Sequence, residues 1–210
     1  MKAKILVPIL SVILVVSLLV TGYSIFGGFG GEVTIDPDNV EIVTNNANLS
    51  VKEHPDFTVE EVEIVPPEGT NIALGKAVSS NGIQDVYQEK NAVDGSTEGA
   101  SYWEGMNNAY PNELTVDLGA PSSINAVRIL LNPLQIWSRR TQTFSISTSD
   151  DGTNFTEVVA STDYQFDPAT GNQVVVHFDP EITAQHVRLT FTDNSGASAG
   201  QVAEFEVYSK

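Results

Sequence analysis

The sequence contains no cysteine, which excludes disulfide bonds and thiolate metal sites. Basic residues are also scarce: 10 Lys and Arg stand against 27 Asp and Glu, for a formal net charge of −17. Such an acidic chain repels phosphate backbones, so we expect no nucleic-acid partner. The sequence also lacks an H-E-x-x-H motif and a Gly-rich phosphate loop before a helix. We therefore expect that this protein is not an enzyme.

One long apolar run occurs, close to the N-terminus. Lys2 and Lys4 precede a charge-free stretch over residues 5–20, which is the plan of a signal segment. Extended to residue 26, the stretch is long enough to span a bilayer of about 30 Å as an apolar helix. Two interpretations of residues 1–26 stay open, a cleaved signal peptide and a retained membrane anchor. Either one predicts that the acidic remainder is extracellular, at the cell surface.

We predict that residues 27–70 form an acidic linker or stalk. The stretch GGFGG opens this region, and prolines interrupt short alternating runs such as VEIV, which indicate short strands. So few large apolar side chains cannot build much of a core. A small independent β-domain is the alternative.

The remainder of the chain consists of short runs in which apolar and polar residues alternate. Leu114, Val116 and Leu118 form one such run, and similar runs recur to the end of the sequence. A period of two indicates a β-strand with one buried face. Turn-forming stretches such as SDDGTN and DPATGN separate the runs. Residues 71–210 are therefore predicted to form an all-β domain, an antiparallel β-sandwich or jelly roll.

Several motifs in this domain carry a family resemblance. NIALGK, NAVDGS, LTVDLG, SISTSDDG and AEFEVY occur in this order. Together they resemble the discoidin or coagulation factor V/VIII type C domain, and most of all the bacterial family-32 carbohydrate-binding modules. The resemblance covers residues 71–210. It implies a β-sandwich of the galactose-binding-domain type, a structural calcium ion, and a carbohydrate site on loops at one end.

The stretch NAVDGSTEGASYW suggests an oxygen-rich metal site. Asp94 and Gly95 place a carboxylate at a tight turn among hydroxyls, which are ligands that Ca²⁺ accepts; an Asx-type turn that satisfies only its own backbone is the alternative. The family resemblance implies six Ca²⁺ ligands: Asn91, Asp94, Ser96, Ser101, Ala203 and Glu204. The loop is two residues longer than the family pattern, so Thr97 or Glu98 is an alternative to the two serines. Such a calcium ion would have a structural role.

A sugar site needs an aromatic face for the ring and fixed polar groups for its hydroxyls. Two loop stretches, EGMNNAYPNE and NPLQIWSRRTQT, offer both, and the resemblance places them at the ligand end. The candidate ligand-binding residues are Glu104, Asn107, Tyr110, Trp137, Arg139, Arg140 and Asn194. For Arg140 the alternative is pairing with an internal carboxylate, and for Trp137 it is inward packing. Trp103 is expected to fill the core.

Two functions stay open at this point. The first is non-catalytic binding of a glycan or polysaccharide at the cell surface by a calcium-stabilised domain, with the N-terminal helix in the membrane if it is not cleaved. The second is a structural or adhesive surface protein that uses the same sandwich to bind proteins or to self-associate. Lipid binding of the coagulation type is disfavoured, because acidic residues outnumber basic ones in the domain.

Overall fold

A computed structural model of the chain describes residues 54–210. The predicted N-terminal helix over residues 1–26 and most of the predicted stalk lie outside these residues. Within them, no helix is both long and apolar enough to cross a membrane.

The described chain is dominated by β-strands, as the alternating pattern predicts. The strands are β1 (Thr70–Asn71), β2 (Ala77–Ser80), β3 (Trp103–Glu104), β4 (Asn112–Leu130), β5 (Arg140–Ser149), β6 (Thr156–Phe166), β7 (Gln173–Asn194), β8 (Gln201–Val202) and β9 (Glu204–Ser209). Short 3-10 helices lie at Pro55–Phe57, Glu89–Val93, Gln135–Trp137 and Pro168–Thr170. The predicted all-β class is confirmed.

The strands pair antiparallel throughout. The main sheet has the order β1-β9-β4-β7-β5-β6, with β2 also on β4, while β3 and β8 form a separate two-stranded sheet. The β4–β7 register shifts between Asp117 and Ser122, which divides both long strands into two parts. The first part of β4 pairs with β2, and the second pairs with β9. The long strands thus take part in both layers of a β-sandwich.

The core lies between the two layers and follows the predicted alternation. Fully buried apolar side chains come from β4, β5, β7 and β9, among them Leu114, Ile129, Phe144, Ile146, Leu189, Phe191, Phe205 and Val207. Trp103 joins this core with no exposed surface, and its ring centroid lies 5.9 Å from that of Phe191. The expectation that Trp103 fills the core is confirmed.

Residues 54–69 lie along the sandwich, and we call this segment the strap. Near its start, Val59 forms an isolated antiparallel bridge with Leu134 in the β4–β5 loop. Near its end, the Glu68 carbonyl accepts a hydrogen bond of 2.9 Å from the Asn125 amide on β4. The strap falls in the predicted linker, but in the structure Thr58, Val59, Ile64 and Glu68 contact the domain.

Candidate functional site

A cavity of about 330 Å³ lies where the loops before β3, β5 and β8 meet. Its walls carry three aromatic side chains, a guanidinium and an amide, which belong to Tyr87, Tyr102, Trp137, Arg140 and Gln201. Gly99, Ala100 and Ile136 complete the lining. Aromatic and polar groups around a concave site are typical of small-ligand sites. A second cavity, of about 440 Å³, lies between the end of the strap and β4 and β7, and no predicted ligand-binding residue lines it.

The aromatic side chains form a continuous cluster around Tyr102. Its ring stacks on Tyr87 with centroids 4.2 Å apart and meets the Trp137 ring edge-on at 4.8 Å. Burial, together with a hydrogen bond and charge interaction from Tyr87, raises the pKa of Tyr102 above its usual range. The Tyr102 hydroxyl is therefore neutral at physiological pH. The arrangement offers apolar ring faces and edges beside phenolic hydroxyls.

Behind the cavity lies a buried polar network. Arg140 Nη1 donates to Gln201 Oε1 at 2.7 Å, and Gln201 Nε2 donates to Glu104 Oε2 at 2.9 Å. Gln142 accepts from the Gln201 main-chain N–H at 2.8 Å and from Asn194 Nδ2 at 3.2 Å. Burial lowers the pKa of Arg140, and the charge of Glu104 opposes this change. The Arg140 guanidinium and the Glu104 carboxylate thus each have a polar partner in Gln201, as buried charges require.

Arg140 also holds the loop that carries Trp137. Its Nη2 donates to the carbonyl of Trp137, and its Nε donates to the carbonyl of Ser138 at 3.3 Å. The guanidinium lies 5.0 Å from the centroid of the Trp137 ring. Ser138 has a φ of 39°, so the chain leaves this turn in a conformation that non-glycine residues rarely adopt.

The structure brings together only some of the predicted ligand-binding residues. Trp137 and Arg140 line the cavity, while Glu104 and Asn194 belong to the network behind it. Three predicted residues do not line it: Asn107, Tyr110 and Arg139. The exposed Arg139 side chain reaches Asp167, at 3.7 Å, and Gln165 instead. Burial, together with the charges of Asp193 and Glu104, raises the pKa of Tyr110 to about 12.

Six cavity residues were not identified from the sequence: Tyr87, Gly99, Ala100, Tyr102, Ile136 and Gln201. A signal for Tyr102 was present, because it is an aromatic residue directly before the core residue Trp103, at the start of β3. Tyr87 lies in a long loop without periodicity, and no pattern marks it.

Four of the six predicted metal residues, Asp94, Ser96, Ser101 and Glu204, meet between the loop at residues 94–101 and the start of β9. Glu204 Oε1 accepts from the Gly95 N–H at 2.6 Å and from the Ser96 N–H at 3.2 Å. Asp94 accepts from the Ser96 N–H at 2.9 Å and from the Ser101 hydroxyl. The Asn91 amide donates to the Tyr102 carbonyl at 3.2 Å, and Ala203 directly precedes Glu204.

The Glu204 carboxyl is 3% exposed and lies close to the Asp94 carboxyl. Burial raises the pKa of Glu204 to about 8, the Asp94 carboxyl adds to the increase, and the Gly95 N–H opposes it. Two carboxyl groups so placed repel each other unless a proton or a cation lies between them. The residues 54–210 contain no cluster of three or more Asp, Glu or His side chains suited to a metal, so a cation here would also need carbonyl or hydroxyl ligands.

The segment Gly196–Gly200 reads GASAG and matches the spacing of the G-x-S-x-G nucleophile elbow. That motif requires a sharp turn between a strand and a helix. Here the segment is a loop between the strands β7 and β8, and the carbonyl of Ser198 accepts a hydrogen bond from the Asn108 N–H. The local structure is therefore not that of a nucleophile elbow.

Comparisons with known proteins agree with this fold. The family model described as F5/8 type C domain matches residues 75–205. Among solved structures, chitosan-binding module 2 of a chitosanase/glucanase from Paenibacillus sp. IK-5, in complex with chitotriose, is 28% identical, with a TM-score of 0.52 over 66% of this chain and 99% of that one. No curated protein gave a significant match.

Two further structures carry the name CBM32 or family 32 CBM. The CBM32 of AlyQ, in complex with 4,5-unsaturated mannuronic acid, is 27% identical, with a TM-score of 0.52 over 63% of this chain and 93% of that one. The family 32 CBM from C. perfringens NanJ, in complex with galactose, is 20% identical, with a TM-score of 0.52 over 64% and 93%. The latter likeness concerns the fold alone.

Proposed function

Because the chain belongs to the F5/8 type C domain family, we propose that its β-sandwich binds a carbohydrate, without cleaving it, in the cavity beside Trp137. The observation that carries this proposal is the cluster of Tyr87, Tyr102 and Trp137 at the mouth of a pocket backed by Arg140 and Gln201. A sugar ring has an apolar face that gains contact energy on aromatic side chains. Its hydroxyls need polar partners that are already held in place.

Charge favours neutral or cationic sugars over uronic acids. The chain is strongly acidic, so its field attracts cationic polymers and repels anionic ones. The Arg140 guanidinium is buried, and its N–H groups already serve two loop carbonyls and Gln201. Similarity to the module that holds chitotriose is consistent with this preference. Similarity to the module that holds unsaturated mannuronic acid makes a uronate the competing ligand to test.

We further propose a structural calcium ion between Asp94 and Glu204. The pair of facing carboxyls and the nearby Ser101 hydroxyl support it, because Ca²⁺ prefers such oxygen ligands. The ion would join the loop at residues 94–101 to β9. Gly99 and Ala100 in the same loop form part of the cavity wall. Calcium would thus stabilise the fold and one side of the sugar site.

A cell-surface location is also a proposal, and it depends on residues 1–26, whose apolar run follows two lysines. Display in many copies would suit a module of weak single-site affinity. The structural or adhesive function is the alternative, and sedimentation of the full chain with and without sugar would distinguish the two.

The test is calorimetric titration of the full chain with chitotriose, galactose and an unsaturated mannuronate oligomer, in millimolar calcium. We expect binding of chitotriose or galactose and at least tenfold weaker binding by Trp137→Ala. Phe155→Ala serves as the control, because Phe155 packs on Arg188 and does not line the cavity. Absence of binding to all three sugars by a folded protein, or equal loss in both variants, would contradict the proposed site.

A further inference from the structure

We propose that the strap is part of the binding site, as a positioning element for the loop that carries Trp137. The family match begins at residue 75, so the strap lies outside it. The functional unit would then include residues 54–69, which precede the first residue of the sandwich. The link to affinity rests on the proposed carbohydrate site, whereas the effect on the loop does not.

The strap contacts the loop through its main chain. The carbonyl of Thr58 accepts a hydrogen bond of 3.1 Å from the N–H of Gln135, and Val59 bridges Leu134. Gln135 is the first residue of the short 3-10 helix that ends at Trp137. The strap therefore fixes the start of the helical turn whose last residue lines the cavity.

The loop is held from two opposite directions. On the inner side, Arg140 donates to the carbonyls of Trp137 and Ser138, which follow the helical turn. On the outer side, the strap accepts from Gln135, which begins it. Each restraint acts on a different end of the turn, so loss of the strap would leave its start held only by the Asn132 side chain, which accepts from the Leu134 N–H at 3.0 Å. Because the aromatic cluster depends on the angle of the Trp137 ring, movement of this turn would alter the cavity wall.

The strap is fixed independently of the loop, so it can impose a position on it. Ile64 packs over Gly171, so closely that a Cβ on that glycine would lie 2.8 Å from Ile64 Cδ1. Pro67 is buried, and the Glu68 carbonyl accepts from the Asn125 amide. These contacts attach the far half of the strap to the β6–β7 connection and to β4.

The strap can be altered without opening the core. None of residues 57–64 is buried, and the core cluster contains none of them. A variant in which these residues are replaced by a Gly-Ser stretch of equal length keeps the main-chain carbonyls but removes the Ile64 contact and makes the backbone more flexible, so the strap should detach from the loop while the sandwich stays folded. Such a variant separates a positioning role from a role in folding.

The primary test is hydrogen exchange of the full chain, in mild detergent, with and without the Gly-Ser replacement. We expect exchange in the segment 132–138 to become about fivefold faster or more, the factor that one net backbone hydrogen bond supplies. Exchange in β4 and β9 should not change. Unchanged exchange in the segment 132–138 would overturn the proposal.

Tryptophan quenching gives a second readout. The sequence has 2 tryptophans, and Trp103 is fully buried, so acrylamide reports on Trp137. We expect stronger quenching of Trp137 in Ile64→Asp, because the acid disrupts the contact with Gly171. Val158→Asp should quench like the parent chain. Ile64 and Val158 are both β-branched apolar residues, and their exposed fractions are 37% and 36%. Val158 lies on the edge strand β6. Equal quenching in both variants would contradict the proposal.

The link to binding is tested with chitotriose and galactose. If the parent chain binds either sugar, the Gly-Ser variant should bind it about tenfold more weakly at an unchanged melting temperature. Faster exchange with unchanged affinity would overturn the positioning role. If the parent chain binds neither sugar, the proposed carbohydrate function fails, while the exchange and quenching results still decide whether the strap holds the loop.

Discussion

Arg140 binds the Trp137 residue twice, through a hydrogen bond to its main-chain carbonyl and through a guanidinium 5.0 Å from the centroid of its ring. A buried cation thereby fixes both the backbone and the side chain of the aromatic residue at the cavity. We therefore expect variants of Arg140 to affect sugar binding mainly through the position of Trp137.

Arg140→Lys should weaken both stability and sugar binding. A lysine keeps the charge but lacks the planar fork that serves Trp137, Ser138 and Gln201 together. We expect a loss of about 1–3 kcal/mol in the free energy of unfolding, typical of a buried polar group left without a partner. Urea denaturation checks the stability and calorimetry the affinity. A stable Arg140→Lys variant with parental affinity would show that the fork is dispensable.

Gly196→Ala should disturb Arg140 from the opposite side. A Cβ on Gly196 would lie 2.7 Å from Arg140 Nε and 2.8 Å from Cζ, which is too close for the guanidinium to keep its place. We expect weaker sugar binding and stronger acrylamide quenching of Trp137. Ser198→Ala, at an exposed position in the same loop, is the control and should change neither quantity. Parental quenching in Gly196→Ala would mean that Arg140 relaxes without moving the loop.

Calcium removal should affect the sugar site as well as stability. The loop at residues 94–101 contributes Asp94 to the proposed metal site and Gly99 and Ala100 to the cavity. We therefore expect a chelator to lower both the melting temperature and the affinity for sugar. Asp94→Ala should reproduce both effects and make them insensitive to the chelator. A chelator effect that persists in Asp94→Ala would place the metal elsewhere.

Without calcium, stability should fall as the pH rises from about 5 to about 8. The folded-state pKa of Glu204 is raised to about 8 by burial and by Asp94, so the folded state binds this proton more tightly than the unfolded state does. The stabilisation is complete below the unfolded-state pKa and is lost as the pH rises through the folded one. Thermal melts in chelator across this range measure the fall, and it should disappear in Glu204→Gln.

Calcium should reverse this trend, because the cation replaces the proton between the two carboxyls. In millimolar calcium, the melting temperature at pH 8 should therefore equal or exceed that at pH 5. A fall of equal size with calcium and with chelator would argue against a metal at Asp94 and Glu204.

Salt should change affinity in opposite directions for cationic and anionic sugars. If the acidic field contributes, added NaCl weakens the binding of chitotriose and leaves galactose unchanged, because screening removes long-range attraction. Binding of an unsaturated mannuronate oligomer should be the weakest at low salt. Calorimetric titration of the same three sugars at two ionic strengths measures these changes in affinity. Tighter mannuronate binding at low salt would mean that the Arg140 charge is available to ligands.

The fold was predictable because the core depends on side-chain alternation. Leu114 and Phe205 lie on the buried faces of their strands, as the period of two requires. The site was only partly predictable. Trp137 and Arg140 lie in a stretch, at the start of β5, whose composition predicts sugar binding. Tyr87 reaches the cavity through a loop conformation, and Gln201 through its place at the start of the two-residue strand β8, and no local pattern encodes either.

The strap was missed for a related reason. Its contact with the loop is a hydrogen bond from the Gln135 N–H to the Thr58 carbonyl, and main-chain groups are the same in every residue. Its side chains are mostly exposed, so the sequence reads as a linker. Only the three-dimensional path of the chain reveals which loop the segment contacts.

The path of the strap has a mechanical consequence. The strap passes the Trp137 loop at Thr58 and Val59, follows the sandwich, and enters β1, which pairs with β9. A pulling force that reaches the strap from its N-terminal side would load the Thr58–Gln135 hydrogen bond before the β1–β9 pairing. Tension would thus detach the strap from the loop before it unfolds the domain. The affinity for a ligand would then depend on the applied force.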